Sequence, residues 1–361
     1  MDYKLTNTEG FNLIRGGGNT IDVYNSLEKL KPIIVPLKEQ YLTFEALEDT
    51  DFSFVFEGDP KGGYVDSSMR ESLSYSLDNG NTWVTYETPN DVTGGVAFTT
   101  PTVHRWDRIL WKGIGTSNQE APNETKYCRF ASTGRFSISG NIMSLLYGDN
   151  FKQQTNLTNE NSGAFASLFF RSKVVSAENL ILPANVADYC YNNMFSYCTN
   201  LTTTPELPAT TLANNCYKGM FRNCTRLLTP PELTATTLAN SCYREIFSMC
   251  QNMLCAPELP ATTMSNNCYE GMFSHCIRLI KAPELPATTL ASGCYVNMFN
   301  NCTSLNYIKA MFTTTPSNTY TRDWVYGVAA NGTFTKNSAA TWNVTGSNGV
   351  PSGWTVQTAN S

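Results

Sequence analysis

The sequence predicts a β-rich α+β fold: an N-terminal arm or anchor over 1–37, a β-sandwich-like domain over 38–150, a solenoid of 26-residue repeats over 151–316, and a β C-terminal cap over 317–361. Three observations predict it. The chain is self-similar at a fixed period from Leu182 onward, which is the mark of stacked repeats. Ahead of that region lie short alternating runs such as Phe52, Phe54 and Phe56, Arg108–Trp111 and Arg135–Ser139, separated by turn residues, an all-β pattern. Behind it, Trp342 and Trp354 stand among turn signals and read as a closing cap.

Met1–Leu37 holds Gly16, Gly17, Gly18 and Pro32 and has no clear periodicity, so it reads as an arm that contacts other proteins. The glycines are followed by neither Lys-Ser nor Lys-Thr and make a flexible turn rather than a phosphate loop. In the β region, Ser76-Leu77-Asp78-Asn79-Gly80-Asn81-Thr82-Trp83 resembles the Asp-box, a hairpin whose Asp holds the turn while Trp packs beneath. A single copy implies a structural staple, not a sialidase. Glu48, Asp49 and Asp51 miss the spacing of a calcium loop and read as a solvated strand edge.

The repeat is L-x-x-x-P-E-L-P-A-T-T-L-A-x-x-C-Y-x-x-M-F-x-x-C-x-x, with Leu201, Leu227, Met253, Leu279 and Leu305 at its first position. Two Cys columns (Cys190, Cys216, Cys242, Cys268, Cys294; Cys198, Cys224, Cys250, Cys276, Cys302) and one Phe column (Phe195, Phe221, Phe247, Phe273, Phe299) follow the same period. Leu168-Phe169 and Trp324-Val325 extend it as half-units at the two ends, as capping repeats do. Each unit pairs an extended segment, Leu201 to Leu207, with a stretch in which Leu212, Cys216, Met220 and Phe221 fall on one face of a helix. A strand plus a helical turn is therefore expected in every unit, with units pairing strand edges at about 4.8 Å. Pro205, Pro231, Pro257 and Pro283 lack an N–H and belong at a bend or bulge.

These residues, C-x-x-L, then L-P, then A-x-x-C-Y-x-x-M-F-x-x-C, resemble the BspA-type leucine-rich repeat over residues 165 to about 330. The chain departs from that family in its Pro-Glu-Leu-Pro segment, its longer period, and Met-Phe where Ala-Phe is usual. The resemblance implies a curved leucine-rich-repeat solenoid used for surface display or adhesion, without catalysis. Such arrays, with the flanking GNIMSLLYGDNF and NGVPSGWTV segments, resemble surface proteins of gut anaerobes and structural proteins of their phages.

Chemistry is sparse. Charged residues make up 15% and the net charge is −5, so no cationic field exists to attract nucleic acid. No apolar run reaches the roughly 20 residues of a membrane span, and the N-terminus lacks a signal-peptide pattern. Twelve cysteines contain no C-x-x-C pair, which disfavours zinc, and the ladder thiols read as reduced core residues. Cys128 and Cys255 lie outside the ladders; His104 and His275 are too isolated for a catalytic arrangement, and His275 is expected to be exposed. No catalytic residue, metal site or cofactor is expected.

The candidate binding residues are Thr202, Thr204, Glu206, Glu232, Glu258 and Glu284, polar positions on the strand face of successive units. Each Glu could instead accept hydrogen bonds from the Thr-Thr turn after it. The expected function is a non-enzymatic binding protein: a phage virion fibre or decoration protein attaching to a host-surface glycan or protein. The virion is favoured over a bacterial cell-surface adhesin because an adhesin needs an export signal. A glycan-active enzyme is the rival from another class, and a homo-oligomer is open.

Overall fold

Alternation of apolar residues builds eight strands in the first part of the described chain: β1 Leu42–Ala46, β2 Phe52–Glu57, β3 Leu73–Ser76, β4 Val84–Tyr86, β5 Gly95–Thr99, β6 Arg108–Gly113, β7 Tyr127–Ser132 and β8 Phe136–Asn141. A computed structural model of the chain describes residues 39–57, 73–86, 95–113 and 127–359. The arm expected over 1–37 lies outside them. After β8 come a one-turn helix α1 (Ser144–Tyr147), β9 (Val174–Ile181), the long repeat region, β10 (Lys281–Leu285), β11 (Tyr307–Ala310), α2 (Asn318–Thr321), β12 (Thr333–Lys336) and β13 (Thr355–Thr358). The class is β-rich, with few helical residues.

Two sheets face one another in the first part, one in the order β4-β3-β6-β1-β8-β9 and one in the order β5-β2-β7. Rings from both meet between them: Phe44 of β1 lies 4.9 Å from Phe130 of β7, and Tyr75 of β3 lies 6.3 Å from Phe98 of β5. Phe44 and Phe130 are fully buried and Phe98 partly so, and buried aromatic area of this kind dominates the energetics of a core. The hairpin between β3 and β4 carries the Asp-box residues. Asp78 accepts hydrogen bonds from Ser76 Oγ (2.7 Å), Thr82 N (2.8 Å) and Thr82 Oγ1 (2.7 Å), which hold its carboxyl down at about 2. Trp83 packs edge-on against Tyr41 at 5.0 Å. The turn between β1 and β2 binds all three acidic residues that the sequence placed at a strand edge: Glu48 pairs with Arg135, Asp49 caps Arg105 N at 2.9 Å, and Asp51 accepts from Thr102 at 2.7 Å.

The repeat region corrects the expected strand-plus-helix unit. Alternate N–H groups close turns within a unit, as in Cys190 to Ala187, Asn192 to Tyr189 and Met194 to Tyr191. The N–H groups between them donate to the next unit: Tyr189 to Asn214, Tyr191 to Cys216, Asn193 to Lys218, Phe195 to Met220 and Tyr197 to Arg222. The pattern recurs 26 residues on, from Asn215 to Asn240 through Asn223 to Ser248, and again in the following units. An α-helix cannot form because it would use every N–H internally. Every fourth residue instead takes left-handed backbone: Tyr189, Asn193 and Tyr197, then Asn215, Gly219 and Asn223.

Strand pairing also differs from the expected continuous ladder. Among the described residues it is continuous at the two ends, where β8 pairs with β9 and where β10, β11, β12 and β13 pair in parallel, and between them it is reduced to isolated parallel bridges such as Ser176 with Thr203 and Thr211 with Thr237. The segments at 205–209, 231–235 and 257–261 form no strand. Prolines remove the donors there, and Pro283 falls in the register shift between Lys281 and Glu284. The central units are thus held by their turn ribbons, by scattered backbone hydrogen bonds such as Leu212 N–H to Thr237 O, and by the side chains packed between them.

Those side chains form continuous columns. Tyr191, Tyr217, Tyr243, Tyr269 and Tyr295 stack at 5.6, 5.7, 6.1 and 6.2 Å. Phe169, Phe195, Phe221, Phe247, Phe273 and Phe299 stack beside them at 5.2–6.0 Å. Phe169 also stacks on Phe130 at 5.8 Å, and Phe130 N–H donates to the Leu168 carbonyl at 2.7 Å. The two-sheet core therefore caps the first unit, and one hydrophobic core runs through the described residues from the sheets into the repeats. At the far end Trp324 closes both columns, 6.1 Å from Tyr295 and 6.2 Å from Phe299.

Candidate functional site

Both faces of the stack are fixed by its packing. Along 201–209 the consensus Leu, Pro and second Leu are buried (Leu201, Pro205, Leu207) while Thr202 and Glu206 are exposed. Alternation around the proline therefore sets which residues reach solvent. Glu206, Glu232, Glu258 and Glu284 are all exposed.

Two of these glutamates share a cleft. Glu258 and Glu284 line a depression of about 400 Å³ whose other walls are Leu254, Cys255 and Ile280, the Lys281–Pro283 segment, Tyr307 and Lys309. Lys309 reaches Glu284 at 2.9 Å, and this hydrogen bond raises the lysine above its ordinary value. Lys281 stands over the Tyr307 ring at 5.4 Å. Two carboxylates and two ammonium groups thus face one small volume, giving polar recognition without a strong net field.

The remaining predicted residues lie elsewhere. Thr202 and Thr204 sit in an earlier unit, and the Thr202 hydroxyl donates to the Val175 carbonyl at 2.9 Å, so it joins the first units to each other. Glu206 and Glu232 occupy the same column as Glu258 but do not line the cleft.

The sequence reading missed an apolar column. Leu228, Leu254 and Ile280, at the position that Thr202 holds in its unit, are 48%, 46% and 54% exposed. Leu254 N–H donates to Leu228 O at 3.1 Å, and Ile280 O accepts from Asn306 N–H of the next unit at 2.9 Å. The aliphatic residues are therefore displayed on fixed backbone. Their signal was available, since Thr and Asn at the same position in Thr202 and Asn306 mark it as facing water. Exposed Cys255 neighbours this column.

On the turn side, His275 is half-buried rather than exposed, because its left-handed position turns the ring back toward Ser274 Oγ (2.9 Å) and Asn301 Nδ2 (3.3 Å). Arg222 pairs with Glu245 at 2.8 Å and Arg244 with Glu270 at 3.1 Å, and half-burial is the main cause of the raised Glu270 carboxyl. Among the described residues, no group of three His, Cys, Asp or Glu could hold a metal ion, and no helix is long and apolar enough to cross a membrane.

No protein-family model, curated protein or solved structure matches this chain.

Proposed function

We propose that this chain is a non-enzymatic attachment protein: a leucine-rich-repeat solenoid joined to a β-sandwich, carried on a phage virion as a fibre or decoration protein and contacting a glycan or protein of the host surface. The observation that carries the reading is the column Leu228, Leu254 and Ile280, three aliphatic side chains kept in water on fixed backbone beside a carboxylate column. A contiguous apolar patch with a polar rim is what an interaction surface requires. The cleft supports binding. Glu258 and Glu284 are both exposed and Glu284 is tied to Lys309 in an ion pair, an arrangement suited to polar contact at the surface.

The virion setting draws support from the thiols. Ten ladder cysteines are buried and free, which suits a chain that folds in a reducing cytoplasm before release by lysis. Mass spectrometry of purified virions from the source tests this, with peptides of this chain expected at the level of a structural protein. Recovery from the bacterial envelope, with none in virions, would replace the fibre by a cell-surface adhesin.

A further inference from the structure

The turn at 104–107 places a tryptophan where the backbone calls for glycine. Asp107 N–H closes the turn on the His104 carbonyl at 2.9 Å, and Trp106, its third residue, has φ 73°. That position of a type II turn requires positive φ, which glycine adopts freely and L side chains avoid. The indole is 59% exposed, so no burial offsets the strain. The turn is nonetheless fixed from behind. Trp106 N–H donates to Ala46 O at 2.7 Å, Ala46 N–H to Asp107 O at 3.0 Å, and Arg105 N–H to Asp49 Oδ1 at 2.9 Å. Arg105 places its guanidinium carbon 4.7 Å from the indole centroid, covering one face of the ring.

A residue with strained φ on fixed backbone, its ring in water and contacted on one face by Arg105, points to use by a ligand. The surroundings choose the ligand. The centre of a protein interface is depleted of charged residues, but residues 104–108 are all exposed and Trp106 is flanked in the chain by His104, Arg105, Asp107 and Arg108. A pyranose fits this mixture: its C–H face lies on the free side of the indole, while its hydroxyls meet guanidinium donors and carboxylate acceptors at the rim. We propose that the 104–107 turn is a saccharide-binding platform, with Trp106 as the stacking surface and Arg105 and Asp107 as its hydrogen-bonding flanks. The site lies outside the repeats and does not rest on the attachment reading.

Saturation-transfer NMR on the full chain, with the methyl glycosides of glucose, galactose and N-acetylglucosamine as probes, tests it. Transfer to the ring C–H protons of at least one probe is expected. Trp106→Gly abolishes that transfer while raising the melting temperature, because glycine takes the turn position without strain. Trp106→Phe keeps a reduced signal. The proposal is overturned if none of the three glycosides receives saturation from the wild-type chain, if Trp106→Gly leaves the transfer unchanged, or if that variant melts lower and so shows the indole to be structural.

Discussion

The Cys250 thiol donates to the carbonyl oxygen of Phe221, one unit earlier, at 3.1 Å. The same carbonyl accepts the Cys224 N–H at 3.1 Å, so both of its lone pairs are used. Cys198, Cys224, Cys276 and Cys302 repeat the contact with Phe169, Phe195, Phe247 and Phe273 at 2.9–3.2 Å. Cysteine suits the position because it is small, mainly apolar and still a weak donor. Ser172, at the same position in the first unit, keeps a donor and contacts Cys198 Sγ at 3.5 Å.

Thiol accessibility follows directly. Cys255 is exposed and the ten ladder cysteines are buried, so a thiol reagent should label Cys255 quickly in native protein and all twelve cysteines after denaturation without reductant. Rapid native labelling of the ladder cysteines, or loss of their thiols to disulfides in the denatured count, would show that the columns are wrongly placed.

Stability should fall at alkaline pH. Burial pushes the thiols of Cys198, Cys250 and Cys302 up to about 12, from an ordinary value of 9.0, and drives Tyr191, Tyr217 and Tyr295 well above 10.0. These acids keep their protons in the fold and lose them when unfolded. Their contribution is therefore complete below pH 9 and is lost as pH rises toward 12. A melting-temperature series read with tyrosinate absorbance should show a plateau below pH 8, then a steep fall with ionisation and unfolding together. Tyrosinate forming ahead of unfolding would contradict the buried column.

Gly271 separates the turn ribbon from a helix by the sign of one substitution. Its φ is 61°, and an added β-carbon would lie 3.2 Å from Glu245 Cγ. Gly271→Ala should destabilise by about 1–2 kcal/mol, the cost of left-handed backbone. In a helix interior the same change would stabilise by about 1 kcal/mol. Denaturant unfolding of the two proteins decides which.

Phe247 tests the packing. Its ring lies 6.0 Å from Phe221 and 5.9 Å from Phe273 and is fully buried. Phe247→Ala should cost about 3–5 kcal/mol by leaving a void between units. A loss under about 1 kcal/mol would place the column at the surface.

Residue spacing alone made the period, the buried Cys and Phe columns and the exposed glutamates legible, because each is a one-dimensional pattern. The unit's backbone was not legible from apolar spacing, since Leu212, Cys216, Met220 and Phe221 satisfy a helix and a turn ribbon alike. Asn and Gly at Asn193, Asn215, Gly219, Asn223, Asn267 and Gly271 were the contrary signal, as residues that tolerate left-handed backbone. Strict counting also hides half of the cleft. Twenty-six residues after Glu284 stands Ala310, but the register shift brings Lys309 opposite it instead. Trp106 carried no pattern at all, because its meaning lies in a backbone angle.

The attachment reading depends on the exposed column, and binding of the purified full chain to host cells tests it most directly. Wild type should be compared with Leu254→Asn/Ile280→Asn and with Glu232→Gln/Glu258→Gln, each checked by circular dichroism and melting. The account predicts that the aliphatic pair weakens binding about tenfold or more, the factor that corresponds to about 1.4 kcal/mol, with the fold intact. Removing the two carboxylate charges should weaken it less. Binding by the folded Leu254→Asn/Ile280→Asn protein that equals wild type would contradict the claim that the repeat face makes the contact.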